Sequence, residues 1–356
     1  MQTAKLCSIT TPNYEKLITP EALKNEHPIS SEIQFEIIKF RKTISDIVSG
    51  RDNRLMVICG PCSIHDPVAA IDYAHRFKEL SKKVENNMFL VMRTYFEKPR
   101  TKVGWKGFIN DPSLDGACDI EEGLITARKL LIKLASSGVP LATEILDPNI
   151  SHYIKDLLSW SAIGARTTES QIHREIASGL SMPVGFKNST NGSVSSALNA
   201  IQAASIPHSF VGIDAQGSIS LLRSQGNSNG HIILRGGSKP NYGPEDIKEC
   251  EQELSLAGLS PSIVVDCSHG NSQKDYRNQP IVAQAVVEQI KEGNTSIKGI
   301  MLESNINAGN QKLKGSLQEL DYGISITDAC IDWVTTKNLL LSINQELSSG
   351  NIIPSS

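Results

Sequence analysis

Residues 54–62 read RLMVICGPC, an apolar run with no alternation that breaks at Gly60-Pro61 and closes on Cys62. A strand apolar on both faces must be covered on both, which is the habit of parallel sheets with helices packed outside them. Working outward, the pattern returns at 88–96, 140–146, 161–166, 183–188, 231–236, 263–269 and 298–303, making eight runs in all. Segments of helical periodicity lie between them. Each run carries a reactive or charged residue at or near its carboxyl end: Cys62, Arg93, Glu144, Arg166, Lys187, Arg235, His269 and Glu303. Eight strand–helix repeats predict a closed (β/α)8 TIM barrel, an α/β fold in which all strand carboxyl ends face one mouth. Residues far apart in the chain would converge there.

The flanking segments have a different texture. Met1 to Pro28 is polar and irregular, and is expected to add little core. A helix is expected from Ser31, with Gln34 as its capping-box partner, Ile33, Ile37, Phe40, Ile44 and Ile47 on one face, and Gly50 at its stop. Residues 1–50 thus form an N-terminal arm and helix with a regulatory or oligomer-contact role, 51–348 the catalytic barrel, and 349–356 a flexible tail. The helix after the first strand should begin at Asp66-Pro67, a cap followed by proline at the first helical position. Two stretches interrupt the barrel repeat. Residues 97–119 form a long polar connection, and loops of that length are usually functional. Residues 209–224, two β-prone runs around Gln216-Gly217, predict a β-hairpin inserted before the sixth barrel strand. The last helix is expected from about Asp328 to Leu347.

Composition removes several classes of function. A net charge of −3 gives no global attraction to nucleic acid or an anionic membrane, so neither is an expected partner. No apolar run approaches the roughly 20 residues that span a bilayer. Met1–Leu17 lacks the apolar core of a signal peptide. Seven scattered cysteines, an odd number, fit a reducing cytoplasm better than a disulfide framework.

Cys62, His269, Glu303 and Asp328 offer a thiolate, an imidazole and two carboxylates. That mix suits a borderline divalent ion, Mn, Fe, Co or Zn, better than Mg or Ca. Cys59-Gly-Pro-Cys62 could also be a redox pair, but the domain is far larger than a thioredoxin, and on alternation Cys59 belongs to the core. Arg93, Lys98, Arg100, Arg166, Lys187 and Arg235 put six cations on one rim. They suit phosphorylated or carboxylated substrates, the alternative being salt bridges to acids such as Glu144. Gly236-Gly237 would let the backbone approach a phosphate. Lys187 could form a Schiff base, although the metal set favours a proton-donor and anion-binding role.

GPCSIHD (60–66), RTYFEKPRTKVGWKG (93–107), GARTTESQIHRE (164–175), PVGFKN (183–188), HIILRGG (231–237), DCSHGNS (266–272) and SITDACIDW (325–333) resemble class I 3-deoxy-D-arabino-heptulosonate 7-phosphate (DAHP) synthases. The resemblance runs from about residue 30 to 345. It implies a metal at Cys62, His269, Glu303 and Asp328. It implies phosphoenolpyruvate at Arg93, Arg166, Lys187 and Arg235, with Ala165 and Glu144 nearby. Arg100 and Thr101 would hold the phosphate of erythrose 4-phosphate, with Pro99 in the same motif and Lys98 between the two substrates. Catalytic roles fall to Lys98, Lys187, His269, Cys62, Asp328 and Glu144. The related 3-deoxy-octulosonate 8-phosphate synthases, which use arabinose 5-phosphate, carry a different motif where this chain has Lys98-Pro99-Arg100-Thr101. A non-catalytic amino-acid sensor would not need all four metal ligands. The resemblance further implies a homodimer or homotetramer and a feedback pocket for an aromatic amino acid at Ser151, His152, Ile176, Leu180, Ser181, Phe210, Gly212 and Leu222. Gly212 resembles the tyrosine-sensitive type. Ser151-His152-Tyr153 replaces the family's usual proline-glutamine-tyrosine, so weak inhibition is expected.

Overall fold

The computed structural model describes residues 14–99, 104–313 and 317–349. Eight parallel strands close a barrel: β1 (Leu55–Gly60), β2 (Met88–Arg93), β3 (Leu141–Glu144), β4 (Trp160–Ile163), β5 (Val184–Lys187), then β8 (Gly230–Leu234), β9 (Ile263–Asp266) and β10 (Ile297–Glu303), which pairs back onto β1. The expected strand ends run long. Gly60 turns the chain out of the sheet, so Cys62 sits two residues past β1, and Arg166 and His269 each lie three residues beyond their strands. The hairpin is present as β6 (Ser209–Ile213) paired antiparallel with β7 (Ile219–Arg223). Its turn carries Gly217 at φ +73, a left-handed conformation open to glycine.

Two layers of core follow from strand alternation. Met56, Ile58, Val91, Ala142, Trp160, Ala162, Ile233, Val264 and Met301 fill the barrel interior, and Ile44, Ile47 and Val48 of α2 (Ser31–Val48) join that same cluster. These helix residues pack onto the inward face of the strands, so α2 plugs the barrel at its amino-terminal end, opposite the mouth. The other strand face, with Cys59 fully buried among it, packs against the surrounding helices. Cys59 Sγ lies 3.3 Å from the Tyr73 hydroxyl, consistent with a core role.

The arm departs from expectation. Within 14–28 the chain forms α1 (Pro20–Glu26), capped by Thr19, with Leu23 completely buried. Thr19-Pro20-Glu21 is a cap, an N1 proline and a first-turn acid, so the signal was present but short. The cap of α2 is Ser30, one residue earlier than expected, whose hydroxyl accepts from Ile33 N; with isoleucine three residues on, it is a simple cap rather than the expected Ser31–Gln34 box. Helix α3 (Pro67–Val84) begins on the Asp66 cap as read. Helix α10 spans Trp333–Ser349, five residues later than expected, so Asp328 belongs to the preceding strap and Ser349 to the helix rather than the tail. Arg100, Thr101 and the rest of the tail lie outside the described residues. Among the described residues no helix is long and apolar enough to cross a membrane.

Candidate active site

The mouth of the barrel opens on a cavity of about 370 Å³ whose walls include Arg93, Lys98, Pro99, Glu144, Ala165, Arg166, Lys187, Arg235, His269, Glu303 and Asp328. Tyr95 and Glu97 line it as well. Every strand-end residue expected to converge there does so except Cys62, which lies directly beneath the floor.

Cys62, Glu303 and Asp328 offer donor atoms that all lie within 4.8 Å of one another. His269, the fourth expected ligand, is not within this mutual distance but stands beside the group, its Nε2 3.9 Å from Glu303 Oε1. Asp328 reaches the cluster because the strap before α10 is laid beside β1. Ser304 N donates to Gly60 O, Ile331 N to Glu303 O, and the Ser63 and Thr327 hydroxyls are 2.7 Å apart. The Cys62 thiol is pushed up to about 12, by burial first and then by the carboxylates of Glu303 and Asp328. Lys98 Nζ lies 2.8 Å from Cys62 Sγ and 2.9 Å from Asp328 Oδ2. Burial opposes its charge, but the surrounding thiol and carboxylates hold the ammonium above its ordinary range. A thiol and two carboxylates facing one point, with an imidazole beside one of them and an ammonium already drawn in, fit a divalent cation of borderline softness.

The cations form the other half. Among the described residues Arg93 pairs with Glu303 at 3.2 Å, Lys98 with Asp328, and Lys187 with Asp266 at 3.1 Å. The salt-bridge reading is therefore partly realised: Arg93–Glu303 and Lys98–Asp328 have both members in the cavity wall, while Lys187 reaches from the wall to the buried Asp266. Arg93 also stacks its guanidinium 4.0 Å above the Tyr95 ring. Burial works against its charge, while Tyr95 and Glu303 more than restore it. Arg235 is aimed by Asn188, whose Oδ1 accepts from Arg235 N at 2.7 Å and whose Nδ2 donates to Gly236 O. Ala165 and Arg166 sit on a turn in which Thr167 N and Thr168 N both donate to Gly164 O, and the Thr168 hydroxyl ties that turn to β5 at Lys187 O.

Gly236-Gly237 also answer a packing demand. Gly236 has φ +72, and a side-chain carbon there would come 2.6 Å from Asn271 N; one at Gly237 would strike Asn191 and Gly192. The pair lets three mouth loops close on one another.

Four residues of the site were not anticipated: Asp266, Tyr95, Glu97 and Asn188. Asp266 is fully buried and holds Lys187, His269 and Ser268 at once. Burial alone would raise its carboxyl, yet Lys187 and His269 keep it well below the usual range. Tyr95 buries a hydroxyl that has no hydrogen-bond partner among the described residues. Glu97 is raised to about 8, chiefly by burial, with Asp147 and Glu144 adding repulsion; its Oε2 accepts from Asp147 N at 3.4 Å. An acid closing an all-apolar strand, as in IVVD (263–266), was the available signal for Asp266.

The expected feedback residues gather away from the mouth. Phe210 and Leu222 pair across the hairpin, and Gly212 lies on the same face. Helix α6 (Gln171–Ser178), with Ile176 and the following Leu180, is tied to the hairpin by the Ser178–Ser224 hydroxyl bond. Ser181 accepts from Arg41, which also donates to the Lys155 and Leu158 carbonyls beside α5 (Ser151–Ile154). Ser151 is buried and donates to Pro148 O. His152 is lowered to about 4, by burial and then by Lys155 and Lys24.

The fold and mouth define a (β/α)8-barrel enzyme in which a cationic rim faces a thiol–carboxylate cluster. Residues 26–341 match the DAHP synthetase I family, and the chain belongs to that family. It is 59% identical over 348 residues to the Tyr-sensitive phospho-2-dehydro-3-deoxyheptonate aldolase of Escherichia coli K12, covering 98% of each chain. It is 48% identical to the Trp-sensitive enzyme of Enterobacter agglomerans, covering 97% of this chain and 99% of that one. The solved phospho-2-dehydro-3-deoxyheptonate aldolase of Francisella tularensis SCHU S4 superposes with a TM-score of 0.92 at 46% identity, over 95% of this chain and 98% of that one.

Proposed function

We propose that the chain condenses phosphoenolpyruvate with D-erythrose 4-phosphate and water to give DAHP and inorganic phosphate, the entry step of the shikimate pathway. The observation that carries this reading is the single cavity in which anion-binding cations face a metal-type donor set. Cys62, His269, Glu303 and Asp328 would hold a divalent ion, which when bound supplies Lewis-acid polarisation of an aldehyde oxygen. Arg166, Lys187 and Arg235, with the Ala165 backbone, grip the phosphate and carboxylate of phosphoenolpyruvate by charge-assisted contacts. Arg93, locked between Glu303 and Tyr95, keeps positive charge at the floor. Arg100 and Thr101 bind the phosphate of the aldehyde substrate, and Lys98 and Pro99 line the passage between the two. C3 of phosphoenolpyruvate attacks the aldehyde carbon, forming the new C–C bond, and the aldehyde oxygen takes a proton from Lys98 or Lys187. Water adds at C2, giving one proton to Glu144, and the C–O bond to phosphate breaks as the C2 hydroxyl passes its proton to the departing phosphate and the ketone forms.

The family's Tyr-sensitive relatives support tyrosine as the feedback inhibitor, bound around Phe210, Gly212 and Leu222 with Ser151, His152, Ile176, Leu180 and Ser181. The exposed apolar side chains Val211, Ile219 and Leu221 on the hairpin's other face support a homodimer or homotetramer. The cysteine usage supports a cytoplasmic enzyme.

The test is phosphate release from phosphoenolpyruvate with erythrose 4-phosphate or arabinose 5-phosphate as the aldehyde. Turnover confined to erythrose 4-phosphate is expected. Preference for arabinose 5-phosphate would move the chain to the octulosonate reaction, and no turnover with either would favour a sensor.

A further inference from the structure

We propose that Asp266 is a positioning residue that fixes the two halves of the site together, setting the free ring nitrogen of His269 and the ammonium of Lys187 from one buried carboxylate. The inference rests on the reading of His269 as a metal ligand and Lys187 as an anion-holding residue. Asp266 closes β9 at the floor of the mouth with no exposed surface. Its Oδ2 lies 3.1 Å from Lys187 Nζ and 3.0 Å from His269 Nδ1. Its Oδ1 accepts from Ser268 N at 3.0 Å and from the Ser268 hydroxyl at 2.5 Å. Both oxygens are engaged, so the carboxylate cannot swing toward one partner and away from the other.

That network assigns the histidine tautomer. Ser268 spends its hydroxyl proton on Asp266 Oδ1, so the Ser268 oxygen, 2.7 Å from His269 Nδ1, is an acceptor there. Asp266 Oδ2 is also an acceptor. Nδ1 therefore carries the proton and donates it, leaving Nε2 with its lone pair on the side of Glu303. His269 holds this pose at φ +55, a left-handed backbone that a non-glycine residue adopts only when its surroundings impose it. A histidine fixed through its second nitrogen by a carboxylate binds metal more tightly, and loss of such a partner typically costs about 10–100-fold in affinity. Lys187 depends on the same oxygen. It is buried, and Asp266 is the acid that compensates its charge. Without that partner a buried ammonium is disfavoured and loses its grip on an anion.

Two binding measurements on the metal-stripped full chain read the two halves separately. Co(II) is titrated by its thiolate absorption, and phosphoenolpyruvate by calorimetry without metal. Asp266→Asn is expected to weaken Co(II) about 10–100-fold and phosphoenolpyruvate about tenfold or more. Ser268→Ala keeps the Lys187 contact and should weaken Co(II) by several-fold with phosphoenolpyruvate unchanged. This pattern separates positioning from a general structural loss, which would move both ligands in both variants, and it stands if Asp266→Asn fails to fold. Unchanged Co(II) affinity in both variants, or unchanged or tighter phosphoenolpyruvate binding in a folded Asp266→Asn, overturns the proposal. Failure of the wild-type protein to bind either probe would instead overturn the reading on which it rests.

Discussion

Cys62 sits below the cavity floor at the meeting point of Glu303, Asp328 and Lys98, the position proposed for a divalent cation. Exhaustive dialysis against EDTA should therefore abolish turnover, with Mn or Co restoring it. Cys62→Ala should lose bound metal and activity while circular dichroism and the melting curve stay close to wild type; full activity in either case would remove the metal from the mechanism. Glu97 gives a pH prediction. Its carboxyl is raised from an ordinary 4.5 to about 8, so the folded protein holds a proton that the unfolded chain releases. The stabilising contribution is complete below about 4.5 and is lost as pH rises through about 8, on the order of a few kcal/mol in all. Glu97→Gln should flatten that slope, so its urea midpoint should exceed wild type at pH 9 and match it near pH 4.5. Equal slopes for the two proteins would show that Glu97 titrates normally. The site's charged residues were legible because charge stands out at the end of an apolar run. Asp266, Tyr95 and Asn188 were not, because they act by holding neighbours, and partners remote in sequence are invisible until the barrel closes.

The elements repeat this division. All eight barrel strands and the hairpin could be read from the sequence, since continuous apolar runs of strand length leave few alternatives once helices separate them. Some carboxyl ends could not, because the chain stays buried as it curls from Gly60 into the mouth, whereas β2, β3, β5 and β10 end on the charged residues read as closing them. Helix α1 escaped because seven residues give too little periodicity to see, although its burial depends on tertiary contacts: Tyr153 donates to Ile18 O at 2.7 Å, and Arg128 donates to His27 O while pairing with Asp156. The start of α10 was placed too early because Asp328 has the look of a cap. Helix α2 was seen, but not that it fills the barrel's closed end. Ile44, with no exposed surface, joins the interior cluster there. Ile44→Ala should cost about 2–5 kcal/mol through lost burial and an unfilled cavity. The KM for phosphoenolpyruvate should stay unchanged, since the mouth is at the other end. A denaturant series checks the first outcome; a raised KM at full folding would mean the plug also shapes the mouth.

Across the whole molecule, the mouth and the hairpin are joined by short steps. Glu97 contacts Asp147, which leads into α5; Tyr153 of α5 holds Ile18, and α1 reaches the hairpin turn through Glu21 N to Ala215 O and Gln216 to Glu21. The expectation of weak inhibition assumed that Ser151 and His152 leave a loop to be ordered at the expense of binding. The structure removes that assumption: Ser151 is buried and bonded to Pro148, and Arg128 clamps Tyr153 O. L-Tyrosine should then inhibit more strongly than phenylalanine or tryptophan, as read in a dose series of all three at fixed substrate. Gly212 is the residue proposed to set the preference. A side-chain carbon at Gly212 would come 2.5 Å from Leu222 Cδ1, so Gly212→Ser must drive the Leu222 side chain from its place opposite Phe210. Less room remains for a phenol hydroxyl, and the tyrosine-to-phenylalanine preference should fall by about tenfold, the equivalent of roughly 1.4 kcal/mol. An unchanged preference with inhibition intact would put the amino acid elsewhere, and phenylalanine inhibition without tyrosine inhibition in the wild-type protein would reverse the assignment.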